Sequence, residues 1–140
     1  MKNKICVAVC VDEFGGMLFN GRRQSRDRVL ISDLLDFAGD KKIIINDFSL
    51  SLFKDYLDRI ILSPSPLNEA GENAVCFIEN LPLADYKDKI ETLVIYRWNR
   101  EYPSDKKLDV SPEALGLKLI SSSDFVGSSH KKITKEIYGK

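Results

Sequence analysis

The chain has 140 residues, 44% of them hydrophobic and 30% charged, and its 21 lysines and arginines cancel its 21 aspartates and glutamates. That is the profile of one ordinary globular domain, residues 1 to 140, large enough to bury roughly two-thirds of the surface its unfolded chain exposes without disulfides or metal. Zero net charge argues against a surface built throughout as a nucleic-acid glove. The apolar run Ile5 to Val11 is far short of the ~20 residues that span a bilayer and lacks the layout of a signal peptide. A cytoplasmic protein without a membrane partner is expected. Cys6, Cys10 and Cys76 are odd in number and lack C-x-x-C spacing, and His130 is the single histidine. No metal site is expected from such a set. Four residues along one strand separate Cys6 and Cys10 by roughly 13 Å, beyond disulfide reach, so three reduced core thiols are anticipated.

In chain order, Ile5 to Val11 is a continuous β-branched run with no polar face, the pattern of a strand covered on both sides. A turn-rich stretch, Asp12 to Gly16, precedes Met17-Leu18-Phe19 and the turn dipeptide Asn20-Gly21. Ser25 is placed to cap a helix whose apolar positions are Val29, Leu30, Leu34, Leu35 and Phe37, with Gly39 as its stop. Ile43 to Ile45 predicts a second strand. A second helix capped by Asp47 or Ser49 would run through Leu52, Phe53, Tyr56 and Leu57, ahead of a third strand, Ile60 to Leu62. Residues 63 to 73 read as a surface excursion, Ala74 to Ile78 as a fourth strand, Leu83 to Ile90 as a short helix and Thr92 to Tyr96 as a fifth strand. This alternation indicates an α/β domain with a largely parallel sheet. Leu117 to Ile120 and Ile133 to Tyr138, with nothing helical between them, predict an antiparallel finish.

The order of elements and several local strings resemble dihydrofolate reductase along nearly the whole chain. Val11-Asp12-Glu13-Phe14-Gly15, Asn20 and Asp27 are similar to the family's opening strand and turn, its loop asparagine and the early helix acid that contacts the pterin. Residues 81 to 96 are similar to the segment joining its late helix to the strand after it, and residues 117 to 122 and 135 to 138 to its closing hairpin. The resemblance implies a three-layer dihydrofolate-reductase-like α/β fold with a mostly parallel central sheet and an antiparallel C-terminal hairpin. The reductases carry Gly-Arg after the second strand, at a helix N-terminus that receives cofactor phosphates, and Gly-Gly after the fourth, where the cofactor lies against bare backbone. This chain has Asn46-Asp47 and Glu79-Asn80 at those places, so two carboxylates would face a pyrophosphate. The dinucleotide site is expected to be lost, and no cofactor, NADPH in particular, is expected. The loop with the family's Pro-Trp pair reads Arg22-Arg23-Gln24-Ser25-Arg26, which would set guanidinium groups where an apolar wall would stand. The strings at 22 to 27, 96 to 100 and 127 to 136 also resemble short bacterial proteins labelled "ribonuclease Z". True enzymes of that name hold two zinc ions with a cluster of histidines, and one histidine excludes that mechanism.

The charges are unevenly spread. Residues 20 to 30 set Arg22, Arg23, Arg26 and Arg28 against Asp27, a local +3; residues 127 to 140 set four lysines against Glu136, again +3. In the resembled fold Arg22, Arg23 and Arg26 would approach Arg97 and Arg100, and forked donors converging on one cleft suit phosphate or carboxylate. A solvated charged face is the plainer alternative. Asp27 is a candidate for acid–base work or for orienting a ligand N–H, its pKa held down by Arg26 and Arg28, or else a helix N-terminal acid favoured by the dipole. Tyr96 could add a hydroxyl to the same ligand or pack in the core. His130, after Gly127-Ser128-Ser129, could act as acid or base, with Ser128 and Ser129 offering donors to an anion; otherwise it packs under the final strand. Trp98 could stack on a base or pterin.

The reading that follows is a divergent dihydrofolate-reductase-like protein that binds a phosphate- or carboxylate-bearing small molecule between the loop of Arg22, Arg23, Ser25, Arg26 and Asp27 and the loop of Arg97 and Arg100, as a monomer or homodimer. Whether it is an enzyme stays open. The alternatives are a divergent nicotinamide-dependent reductase of a pterin or pyrimidine-like substrate, and a protein that binds RNA or cleaves it without metal.

Overall fold

The computed structural model describes residues 4 to 140. Strand β1, Ile5–Val11, lies near the middle of a seven-stranded sheet, as its unbroken apolar run requires. β6 (Ala74–Phe77) and β7 (Ile90–Arg97) pair with it on either side in parallel register. β4 (Lys42–Ile45) and β5 (Ile60–Leu62) extend the sheet beyond β6, again in parallel. β10 (Ile133–Gly139) lies antiparallel to β7, and β9 (Lys118–Phe125) closes that edge antiparallel to β10. The parallel sheet with an antiparallel finish is thus the one anticipated.

Both faces are covered. Val7, Val9, Ile44, Cys76, Leu93 and Ile95 pack into one core, while Ala8, Ile43, Val75, Val94 and Tyr96 pack with Leu30, Leu34 and Leu35 of helix α1 (Arg28–Ala38) into the other. Period-two alternation along β1 and β7 puts neighbouring residues into different cores. A small second sheet joins β2 (Gly16–Phe19), β3 (Arg22–Arg23) and β8 (Lys106–Lys107). Asn20 and Gly21 turn β2 into β3 with φ of 52° and 72°, the left-handed pair a tight hairpin requires.

α1 spans Arg28–Ala38, and Gly39 at φ 61° ends it by donating its N–H to the carbonyls of Leu35 and Asp36. Its N-cap is Asp27, whose side chain accepts from the N–H of Val29 and Leu30, so Ser25 does not cap the helix. Asp47–Arg59 does not form the anticipated second α-helix. It is a 3₁₀ segment broken at Phe53 (φ −118°, ψ 17°) and Tyr56 (φ −133°, ψ 32°), with no side-chain cap from Asp47 or Ser49. The expected helix over 83 to 90 is only a 3₁₀ turn, Ala84–Tyr86, because Ile90 already belongs to β7. Within 63 to 73 a short helix, α2 (Pro66–Glu69), buries Pro66 and Leu67. Among the described residues, no helix is long and apolar enough to cross a membrane, and no cluster of His, Cys, Asp or Glu could hold a metal ion. All three cysteines are free; burial pushes the Cys6 and Cys76 thiols up to about 12 and raises that of Cys10 well above its ordinary value.

Candidate functional site

Two buried carboxylates organise the loops at the C-terminal ends of β1 and β7. Asp12 follows β1. Its Oδ1 accepts from the N–H of Phe14 and Gly16 at 2.9 and 2.7 Å, and its Oδ2 from Gln24 Nε2 and the N–H of Tyr102, both at 3.2 Å. One side chain therefore fixes the turn after β1, the approach to α1 and the loop after β7. Burial works to raise its pKa, but hydrogen bonds from the N–H groups of Gly16, Tyr102 and Phe14 and from Gln24 outweigh it and lower the value.

Asp27 has a wholly buried side chain. Beyond capping α1, its Oδ1 accepts from the N–H of Ser128 at 2.8 Å and its Oγ at 3.1 Å; its Oδ2 accepts from the N–H of Ser129 at 2.7 Å and from His130 Nδ1 at 3.0 Å. The loop between β9 and β10 is thereby clasped to the start of α1. Gly127 makes the clasp possible, because a Cβ there would collide with the Asp27 carboxyl group and with Ile133. Burial again pushes the Asp27 pKa upward, and the bonds from His130 and from Ser129, Ser128 and Val29 bring it well below the usual carboxylate range. The lowering expected from Arg26 and Arg28 is thus real in direction but arises from hydrogen bonds. So many donors occupy the carboxylate that no oxygen is left for a ligand N–H.

His130 is 5% exposed. With Nδ1 on Asp27, its Nε2 faces two hydroxyls, Ser25 Oγ at 3.0 Å and Tyr102 Oη at 3.1 Å. The imidazole stacks on the indole of Trp98 with centroids 4.5 Å apart and planes 25° apart. Trp98, 4% exposed, is spent on this stack and offers no face to a base or pterin. Next to Ser25, Gln24 Oε1 is buried and accepts from no described group.

The arginines do not converge as expected. Tyr96 on β7 and Trp98 just past its end face the core under α1, so Arg97 between them points the other way, where its Nε donates to Glu136 at 2.6 Å. Alternation on the strand signals this separation. Arg100 is exposed and meets the opening turn only through its carbonyl, which accepts from the N–H of Glu13. Arg23 donates two bonds to Glu79, at 2.8 and 3.1 Å, and one to the carbonyl of Phe48. Tyr96 is fully buried with its hydroxyl on Asp33 at 2.6 Å, and burial followed by that acceptor raises its pKa strongly; it contributes nothing to the loop cluster. Arg22, Arg26 and Arg28 are exposed and, with Lys54, have no ion-pair partner among the described residues.

Two clefts meet at Arg26. A cleft of about 430 Å³ lies between the start of α1 and the 3₁₀ segment, lined by Arg26, Arg28 and Lys54, by the acidic residues Asp27 and Asp55, and by Ser51, Tyr56, Ser128 and Ser129. The second, about 450 Å³, is lined by Gly21, Arg22, Arg23, Ser25, Arg26 and Phe48. Lys54, Gln24 and Tyr102 were not legible as site residues: each arrives through tertiary packing of a segment with no motif.

Superposition on solved structures then decides the architecture. Dihydrofolate reductase from Enterococcus faecalis, complexed with NADP(H) and RAB-propyl, aligns with a TM-score of 0.65 over 99% of this chain and 97% of that one, at 10% identity. The fold is that of dihydrofolate reductase. No family model matches the sequence, and no curated protein matches it. Within the dihydrofolate reductase fold, the two departures noted in the sequence lie side by side after β4 and β6. Asn46 Nδ2 donates to Asn80 Oδ1 at 2.9 Å, and Glu79, 8% exposed, accepts from Ser49 Oγ at 2.7 Å as well as from Arg23.

Proposed function

We propose that this chain uses a dihydrofolate reductase fold to bind a phosphate- or carboxylate-bearing small molecule, without a nicotinamide dinucleotide. The observation that carries this reading is the cleft between α1 and the 3₁₀ segment, where Arg26, Arg28 and Lys54 have no ion-pair partner among the described residues. Three cations supply charge-assisted donors to an anion, and the hydroxyls of Ser51, Tyr56 and Ser129 add neutral ones. The proposed pocket borders the segment of Arg26 to Arg28 and faces the 3₁₀ segment, not Arg97 and Arg100.

The ground after β4 and β6 does not fit a pyrophosphate. Asn46 and Asn80 bridge it, the Glu79 carboxylate is anchored in it by Arg23 and Ser49, and Asp47 adds a second negative charge. Opening it would break the bonds between Arg23, Ser49 and Glu79 and leave a buried carboxylate unpaired.

The test is thermal unfolding with inorganic phosphate or succinate, beside a fluorescence titration with NADPH. At ten times its Kd a ligand adds about 1.4 kcal/mol to stability, a Tm rise of about 4–6 °C for a domain of this size. The rise is expected for the wild type and for Arg97→Ala, and is expected to vanish in Arg26→Ala/Lys54→Ala. Micromolar NADPH binding would restore the reductase alternative, and absence of any rise with either anion would end the present reading.

A further inference from the structure

We infer that Ser25 is a nucleophile activated by His130 and Asp27, and that this trio hydrolyses a carboxylic ester bearing an anionic group. The activation stands on the geometry of the three side chains. Only the charge of the substrate rests on Arg22 and Arg26, which line the cleft of Ser25 that meets the anion-binding cleft at Arg26.

Asp27, His130 and Ser25 are joined in one line. Oδ2 of Asp27 is 3.0 Å from Nδ1 of the imidazole, and Nε2 is 3.0 Å from Ser25 Oγ. An ionised carboxylate on Nδ1 keeps the proton on that nitrogen and leaves the lone pair of Nε2 facing the hydroxyls of Ser25 and Tyr102; of these two, Ser25 lines the cleft of Arg22 and Arg26, the relation a nucleophile needs to its base and its substrate. Neither the acid nor the ring is free to turn away: five further donors hold the carboxylate and Trp98 holds the plane of the imidazole. The acid is buried and the base nearly so, whereas Ser25 is part-exposed and lines the cleft of Arg22 and Arg26. A helix cap would explain a serine at this place, but Asp27 holds that role, which leaves the Ser25 hydroxyl to the imidazole. The backbone N–H groups of Ser25 and Arg26 donate to no described group.

In the first step the Ser25 hydroxyl proton passes to Nε2 while Oγ bonds to the ester carbonyl carbon. The bond from that carbon to the alkoxy oxygen breaks, and the leaving alcohol takes the proton from Nε2. Water repeats the sequence on the acyl-serine, giving a carboxylic acid and restoring Ser25. Ester and water become acid and alcohol, with no other reactant. Arg22 and Arg26, in the cleft that Ser25 lines, favour a substrate with a carboxylate or phosphate a few bonds from the ester.

The test uses the full chain with a fluorophosphonate probe, intact-mass and peptide mapping, and two substrates, p-nitrophenyl hemisuccinate and p-nitrophenyl acetate. Stoichiometric labelling of Ser25 is expected, with loss of labelling and at least a ~100-fold fall in hydrolysis in Ser25→Ala. His130→Gln should fall as far. Because that variant removes a buried ring, Ser25→Ala, which removes one hydroxyl, carries the decision, with its Tm checking the fold. No labelling, labelling on Tyr102, or hydrolysis unchanged in Ser25→Ala would each overturn the inference. Labelled Ser25 with equal rates on the two esters upholds the nucleophile and defeats the anionic substrate. A phosphate-induced Tm rise without labelling leaves anion binding standing and removes the esterase.

Discussion

Asp27→Ala is expected to lower the free energy of unfolding by about 3–5 kcal/mol, the sum of a lost helix cap and of buried donors left without an acceptor. The carboxylate caps α1 and accepts from Ser128, Ser129 and His130, so its loss frees a helix end and the β9–β10 loop together. Asp27→Asn keeps a good cap but cannot accept all the loop donors, and should fall between the wild type and the alanine variant. A pH dependence follows. The folded-state pKa of Asp27 is lowered, so the native state binds fewer protons than the unfolded chain below the unfolded value of about 3.9. Its contribution is complete above that value and is lost progressively as pH falls toward the depressed folded value. Urea midpoints at pH 7 and pH 3 should therefore differ more for the wild type than for Asp27→Asn. Equal differences would show that the carboxylate does not hold the loop. Asp12, lowered by its own set of N–H donors, adds acid sensitivity of the same sign.

Gly127→Ala is expected to cost about 1–3 kcal/mol, the usual penalty of forcing added atoms into a packed site. The new methyl would meet the Asp27 carboxyl group and Ile133, both held by the structure around them. The loop must then back away, carrying His130 off Asp27 and off Trp98. Trp98 is the one tryptophan of the chain, so its fluorescence should report the loosened stack directly. A wild-type Tm together with an unchanged emission spectrum would refute the proposed clasp. Gly15, with a positive φ but open space at its Cβ, serves as a comparison in which strain acts without collision.

Local rules carried the frame well because they act within a few residues. The unbroken run Ile5 to Val11 demanded cover on both faces, Gly39 could stop α1 because φ 61° costs it nothing, and Asn20-Gly21 could turn a hairpin. They failed at 47 to 59, where apolar spacing fits a helix but the segment is fastened at its end. The Arg59 guanidinium donates to the carbonyls of Leu35, Gly39 and Lys41 as the chain turns into β5. They also misassigned the cap of α1, because Ser25 and Asp27 are both good caps and only the partners 100 residues away settle which is used.

The site divides along the same line. Sequence alone singled out Asp27, His130, Ser25, Ser128 and Ser129, and the carboxylates of Asp47 and Glu79 after β4 and β6, since residue chemistry and element order are local properties. It could not say that the first three form one hydrogen-bonded line, or that Arg97 leaves the arginine cluster for Glu136. Those outcomes depend on which face of β7 each side chain takes and on the meeting of two loops far apart in the chain. Only packing the sheet and closing the β9–β10 loop onto α1 decides them.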